Sequence, residues 1–196
     1  MIAGIRFMSD DLILSVSSIE TLKFFTVDSN ILMGIASLIF LYYDFLIISK
    51  KKKEIPTIVY NIKHIATVGV ILTFLVTVFY LAPFSEYSYF AFFKNSNLFF
   101  HLIVPILSFI TYIFFENNNK QNKRIIILGM IPMIIYSCFY ITNYLIHLGS
   151  SSMKDYDWYN FIGNGIVSGV ISISVMYFLT YLISYILWRL NKKVNI

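Results

Sequence analysis

The segment ILMGIASLIFLYYDFLIIS, residues 31–49, decides the fold of this chain. It is an almost unbroken apolar run, and its length is close to the ~20 residues with which an α-helix crosses ~30 Å of hydrocarbon. Hydrocarbon offers no hydrogen-bond partner to the backbone, so a run this long and continuous crosses a membrane as a helix. We therefore predict that the segment is a transmembrane helix.

Four further apolar runs follow, at residues 64–83, 99–115, 125–147 and 164–188. Short polar connections separate them, and Pro105 and Pro132 can kink the third and fourth helices. The chain of 196 residues is 58% hydrophobic and 13% charged, whereas a soluble domain has roughly 25% charged residues. This composition excludes a water-soluble globule. The predicted fold is all-α, an integral membrane bundle of five transmembrane helices.

Several other classes of site and partner are disfavoured by the sequence. Cys138 is the single cysteine, which excludes an internal disulfide framework. We find neither a Cys/His spacing typical of a metal site nor a glycine-rich phosphate loop, so we predict no metal and no cofactor. Basic residues flank the spans rather than line a groove, so nucleic acid is not an expected partner. The sequence does not indicate an oligomeric state.

The basic residues predict how the chain is oriented. Eleven of the fifteen fall on one side of the predicted spans: Lys50, Lys51, Lys52, Lys53, Lys63, Lys120, Lys123, Arg124, Arg189, Lys192 and Lys193. Cytoplasmic loops carry an excess of Lys and Arg, so this side is predicted to be cytoplasmic. Five spans then place the N-terminus outside and the C-terminus inside a cell membrane.

Residues 1–25 differ from the rest of the chain. Their short apolar stretches are interrupted by Asp10, Asp11 and Glu20, and they match neither a span nor a signal peptide. We expect an extracytoplasmic, weakly structured segment, followed by the helical bundle over residues 26–196.

Polar residues from separate helices gather at the outer ends of the predicted spans. They are Thr26, Asp28 and Asn30 at the first span, His101 at the third, Tyr140 and Asn143 at the fourth, and Asp155 before the fifth. Ionisable groups inside a membrane are costly and usually face a cavity or a partner. This layer predicts a polar site at the membrane surface. Two structural alternatives stay open: Thr26, Ser29 or Asn30 caps a helix, and the His101 imidazole bonds to a neighbouring helix.

Four segments of the chain carry a family resemblance. They are FFTVDSNILMG at 24–34, NLFFHLIVPILSF at 97–109, the pair Tyr136 and Tyr140, and DYDWYNFIGNG at 155–165. In order and spacing they resemble the signatures of the Pr6Pr family of small bacterial membrane proteins. More remotely, the Thr and His are similar to those of the androgen-induced and androgen-dependent TFPI-regulating proteins, which are threonine hydrolases. The resemblance implies six spans, so the first one is expected to be missing here.

The resemblance also implies an activity, the hydrolysis of a lipid ester at the outer leaflet. In that reading Thr26 is the nucleophile and His101 the base that activates it. Residues that would orient the histidine or stabilise the oxyanion are Asp28, Asn30, Tyr140, Asn143 and Asp155. The expected partners are membrane lipid and an amphiphilic ester substrate. We then expect the Thr26 hydroxyl and a His101 ring nitrogen to lie within hydrogen-bond reach, or within one water of it, in a cavity also touched by Asn143 or Tyr140. The alternative is a non-enzymatic protein, a small transport or assembly factor, whose polar layer is structural.

Overall fold

The computed structural model describes residues 20–84, 88–116, 121–149, 156–163 and 165–194. Within these ranges five helices are long and apolar enough to cross a membrane. They are α1 (Phe25–Ile48), α2 (Thr57–Phe84), α3 (Ser96–Phe114), α4 (Arg124–Ile146) and α5 (Ile166–Lys193). One-turn 3₁₀ helices form at Glu20–Lys23 and Tyr89–Phe93. The predicted all-α bundle of five spans, a multi-pass membrane protein, is confirmed.

The start of α1 differs from the sequence-based expectation. The helix begins at Phe25, and Phe24 occupies the N-cap position. The Phe24 side chain makes no capping bond. Residues 26–30 are therefore inside the helix, and the interpretation of Thr26, Ser29 or Asn30 as caps is wrong. Ser29 Oγ and Asn30 Nδ2 both donate to the Thr26 carbonyl inside the helix. A hydropathy pattern gives no indication of such bonds. Of the segment expected to be weakly structured, residues 1–19 lie outside the described residues.

Proline residues explain the irregular turns of three helices. A proline lacks an N–H group, and its ring clashes with the carbonyl four residues earlier. Pro83 follows a π-helical turn at Thr77–Leu81, and Pro105 follows another at Phe99–Ile103. Pro132 follows an interruption of α4 at residues 129–130. The widened turns of α2 and α3 accommodate the two rings without ending the helices.

Antiparallel packing gives the bundle two chemically different ends. Ser29 of α1 bonds Thr73 of α2 with 3.1 Å between the hydroxyl oxygens, and further along the same helices Lys63 Nζ donates to Ser37 Oγ at 2.8 Å. We call these the Thr26 end and the His64 end. The central helix is α2, which contacts each of the other four. Between the two ends lies an apolar core that includes Val68, Leu72 and Met176.

At the His64 end a buried polar network joins the helices. The His64 ring bonds the Tyr112 hydroxyl through Nδ1 at 2.7 Å and the Ser184 hydroxyl through Nε2 at 2.8 Å. Lys63 forms an ion pair with Glu116, with 3.0 Å between Nζ and Oε1. Burial raises the pKa of the Glu116 carboxyl above its ordinary value, and the Lys63 ammonium opposes that rise. The network fixes the arrangement of α2, α3 and α5 at this end.

Candidate functional site

A large groove opens between α1 and α4 at the Thr26 end and reaches along both helices. We call it the lateral groove; its volume is about 1210 Å³. Its polar lining is Glu20, Lys23, Asp28, Ser29, Asn143, Tyr156 and Trp158. Its apolar walls include Leu32, Ile65, Ile131, Ile135 and Phe139. The groove is thus polar at the Thr26 end and apolar toward the middle of the bundle.

The length of the lateral groove matches one leaflet of a bilayer. Asn143 and Ile131 both line it and lie on the same helix. At 1.5 Å per residue they are about 18 Å apart. Half of the ~30 Å hydrocarbon thickness is about 15 Å. An alkyl chain with its head at Asn143 therefore fits within the groove.

Asp28 places a carboxylate inside the lateral groove. It lies in the first turn of α1 and is half-buried. The positive end of the helix dipole favours a negative charge at this position. The part of the chain that the structure describes offers this carboxylate neither a hydrogen bond nor an ion pair. Asp28 is therefore a half-buried charged group that is available to a ligand in the groove.

The cation of the groove, Lys23, is held by aromatic rings. Its Nζ lies 5.5 Å from the centroid of the Phe24 ring and 5.8 Å from that of Trp158. Trp158 Nε1 donates to the Tyr136 hydroxyl at 2.9 Å, and this hydroxyl donates to the Lys23 carbonyl at 2.5 Å. These contacts hold Lys23, Tyr136 and Trp158 together in one wall of the groove.

Tyr140 has a structural role in this wall. Its hydroxyl donates to the Asp157 carboxylate. The same carboxylate accepts from the backbone N–H of Phe161 at 3.0 Å and of Ile162 at 3.1 Å. Tyr140 thus anchors the segment that carries Trp158, and its hydroxyl is already used.

Thr26 lies on a different face of α1 from Asp28, because two residues along a helix are about 200° apart. It lines a small cavity of about 40 Å³ together with Thr73, Thr77 and Tyr159. The Tyr159 hydroxyl accepts from the Phe25 N–H at 3.1 Å. Burial raises the pKa of Tyr159 to about 12. The phenol that shares this cavity with Thr26 is therefore neutral.

His101 is buried in the π-helical turn of α3, with 5% of its surface exposed. Its Nδ1 donates to the Phe92 carbonyl at 2.9 Å, because a carbonyl can only accept. No hydrogen bond among the described residues joins His101 to Thr26, and His101 is not among the residues that line the cavity around Thr26. The pairing of these two side chains stays a prediction.

Asn30 connects α1 to the helix that carries His101. Its Nδ2 donates to the Thr26 carbonyl at 2.8 Å and to the Phe100 carbonyl at 3.3 Å. Both N–H donors are therefore used, and the free atom is the acceptor Oδ1. An oxyanion needs donors, so in this arrangement Asn30 offers none.

Two candidate residues remain, Asn143 and Asp155. Asn143 lines the lateral groove, and its backbone carbonyl accepts from His147 Nδ1 at 2.8 Å. The His147 ring stacks on Tyr156, with 3.5 Å between the ring centroids. Asp155 lies outside the described residues. The structure thus brings Asp28 and Asn143 to one groove, and it places Thr26 on another face of α1.

Sequence reasoning did not include Lys23 and Trp158 in the site. Trp158 has a signal in the sequence, since an aromatic next to acidic residues before a span suggests an interfacial position. Lys23 precedes the first span and has no such signal.

Comparison of the chain with family models, with curated proteins and with solved structures gives no match.

Proposed function

We propose that this multi-pass membrane protein binds an amphiphile with an ammonium head group in the lateral groove. The head group contacts Asp28, and the alkyl chain lies along the apolar walls of α1 and α4. The observation that carries the proposal is the half-buried Asp28 carboxylate, which has no partner among the described residues and faces a groove one leaflet long.

Charge favours an ammonium over other head groups. The groove is lined by two carboxylates, Glu20 and Asp28, and by one ammonium, that of Lys23. Lys23 already lies against two aromatic rings. The faces of Trp158 and Phe139 can also attract a cation. An anionic head group would instead meet the unpaired carboxylate of Asp28.

The proposed location of the site is the outer leaflet of a cell membrane. Basic residues concentrate at the His64 end, among them Lys50–Lys53, Arg124, Arg189 and Lys192. The excess of cytoplasmic Lys and Arg in membrane proteins then assigns this end to the cytoplasm. The N-terminus lies outside, and the lateral groove faces the outer leaflet.

A thermal-shift titration of the purified protein in neutral detergent tests the proposal. Three amphiphiles of equal chain length are compared, with quaternary ammonium, sulfate and neutral sugar heads. We expect selective stabilisation by the ammonium compound, with about tenfold weaker apparent affinity in Asp28→Asn, or about 1.4 kcal/mol.

Asp44→Asn is the matched control, because Asp44 is a second carboxylate of α1 that does not line the lateral groove. It should retain the wild-type response. Equal stabilisation by all three heads, unaffected by Asp28→Asn, would show that the groove holds only bulk detergent.

A second candidate is a lipid-ester hydrolase of the kind that the remote resemblance to the androgen-induced and androgen-dependent TFPI-regulating proteins implies. It is supported by the contact of α1 with α3 at the Thr26 end, where Asn30 bonds the Phe100 carbonyl and the adjacent His101 is buried. A fluorophosphonate probe tests it. Labelling of the wild type that is lost in Thr26→Ala and kept in Thr180→Ala would support a threonine nucleophile. Equal labelling of all three proteins, or none, would argue against it.

A further inference from the structure

The lateral groove contains two opposite charges that do not neutralise each other. Asp28 and Lys23 both line it, and both side chains are half-buried. In the part of the chain that the structure describes, an ion pair joins Lys63 to Glu116, and none involves either charge of the groove. A charge that has lost part of its water and gained no counter-ion is costly. The two unpaired charges therefore indicate a ligand that is complementary to both.

Aromatic contacts position the ammonium of Lys23 without neutralising it. Its Nζ lies 5.5 Å from the centroid of the Phe24 ring and 5.8 Å from that of Trp158. The Trp158 ring is held in turn, because its Nε1 donates to the Tyr136 hydroxyl at 2.9 Å. An aromatic face attracts a cation through its quadrupole, but the ring has no net charge. Lys23 therefore keeps a full positive charge at a defined place in the groove.

Asn143 adds an uncharged hydrogen-bonding group to the same groove. It is half-buried, its backbone carbonyl accepts from His147, and its side-chain amide makes no hydrogen bond to a described residue. An amide nitrogen has two N–H donors, and a lysine ammonium has three and no acceptor. Lys23 and Asn143 can thus donate to an anionic group, whereas the ionised Asp28 carboxylate can only accept.

A head group with a single charge satisfies only part of this lining. An ammonium alone would be attracted by Asp28 and repelled by Lys23. An anionic group alone would be attracted by Lys23 and repelled by Asp28. Attraction and repulsion follow the same Coulomb law, so a head group that carries both charges gains at two places and loses at neither.

We propose that the head group bound in the lateral groove is zwitterionic. Its ammonium contacts Asp28, and its anionic group, a phosphate, sulfonate or carboxylate, contacts Lys23 and Asn143. This inference rests on the proposed function and adds to it the second charge of the ligand. The ligand class is thus a zwitterionic amphiphile, whose alkyl chain lies along the apolar walls of the groove.

Thermal-shift titrations of the purified full chain in neutral detergent test the second charge. Three amphiphiles with the same alkyl chain are compared, with trimethylammonium, phosphocholine and sulfobetaine heads. The anionic group lies next to the chain in phosphocholine and at the far end in sulfobetaine, so both orders of charge are covered. We expect at least one zwitterion to bind the wild type about tenfold more tightly than the trimethylammonium compound, as one added hydrogen bond to a charged group would give.

Variants at Lys23 separate its charge from its packing. Lys23→Gln should remove the gain of the zwitterion, and it should strengthen binding of the trimethylammonium compound because a like charge is gone. A damaged fold would weaken binding of both. Lys23→Arg keeps the charge and should keep the gain. Lys94→Gln is the control, because Lys94 is an exposed lysine that does not line the groove; it should bind all three amphiphiles as the wild type does.

Two results would overturn the proposal. One is a wild type that binds neither zwitterion more tightly than the trimethylammonium compound; if Asp28→Asn still weakens binding of that compound, the proposed function stands without the second charge. The other is a gain that Lys23→Gln leaves unchanged. Failure of the proposed function has a different signature, trimethylammonium binding that Asp28→Asn does not alter, and the zwitterionic ligand would then be rejected with it.

Discussion

At the scale of single residues, Gly129 shows how closely α4 approaches its neighbours. A Cβ at this position would lie 2.3 Å from Ser184 Oγ and 3.2 Å from His64 Nε2. Both atoms belong to the hydrogen bond that joins α2 to α5. A side chain at residue 129 would therefore displace a buried, satisfied polar pair.

We predict that Gly129→Ala destabilises the protein by about 1–3 kcal/mol, the usual cost of overpacking. Gly34→Ala is the control, since no atom lies within 4 Å of the Cβ that it adds on α1. An alanine there should be neutral or slightly stabilising. Thermal unfolding in neutral detergent measures both. Equal Tm values for the two variants would contradict the close approach.

At the scale of helices, the sequence predicted the number of spans and did not predict how they are rotated against one another. Apolar length alone indicates a span. The rotation depends on side chains far apart in the chain, such as Ser29 with Thr73 or His64 with Ser184. With apolar residues on all faces of each helix, no single face indicates where the core lies. The irregular turns before Pro105 and Pro132 have a local cause, the proline itself, and could be expected from the sequence.

The ion pair of Lys63 and Glu116 gives a prediction at this scale, because it joins α2 to the end of α3. Its side chains are 5% and 9% exposed. Removing one partner leaves an uncompensated buried charge, which typically costs about 3–5 kcal/mol. We expect Lys63→Met to lower the unfolding free energy by that amount. The double variant Lys63→Met/Glu116→Gln should recover most of the loss.

The measurement is a double-mutant cycle of thermal unfolding with the two single variants, the double variant and the wild type. Recovery in the double variant indicates a coupled pair. A double variant that loses the sum of the two single losses would show that the two charges act independently.

At the scale of the whole molecule, the sequence indicated the polar layer at the Thr26 end and did not resolve it into separate sites. Asp28 and Asn143 were expected to support a Thr26–His101 pair, and both line the lateral groove. Thr26 lines a small cavity with Tyr159 on another side of α1. A sequence indicates how deep a residue lies in the membrane, but it does not indicate toward which neighbour that face of the helix is turned. Thr26 and Asp28, two residues apart, were therefore assigned to one site.

The central claim is that Asp28 selects an ammonium head group in the lateral groove. The most direct test is quenching of Trp158 fluorescence by a brominated alkylammonium in a Trp188→Phe background, where Trp158 is the sole tryptophan. We predict saturable quenching, unchanged in Asp44→Asn and shifted to about tenfold higher concentration in Asp28→Asn. Identical quenching curves for the Asp28→Asn variant and the protein with Asp28 intact would contradict the claim.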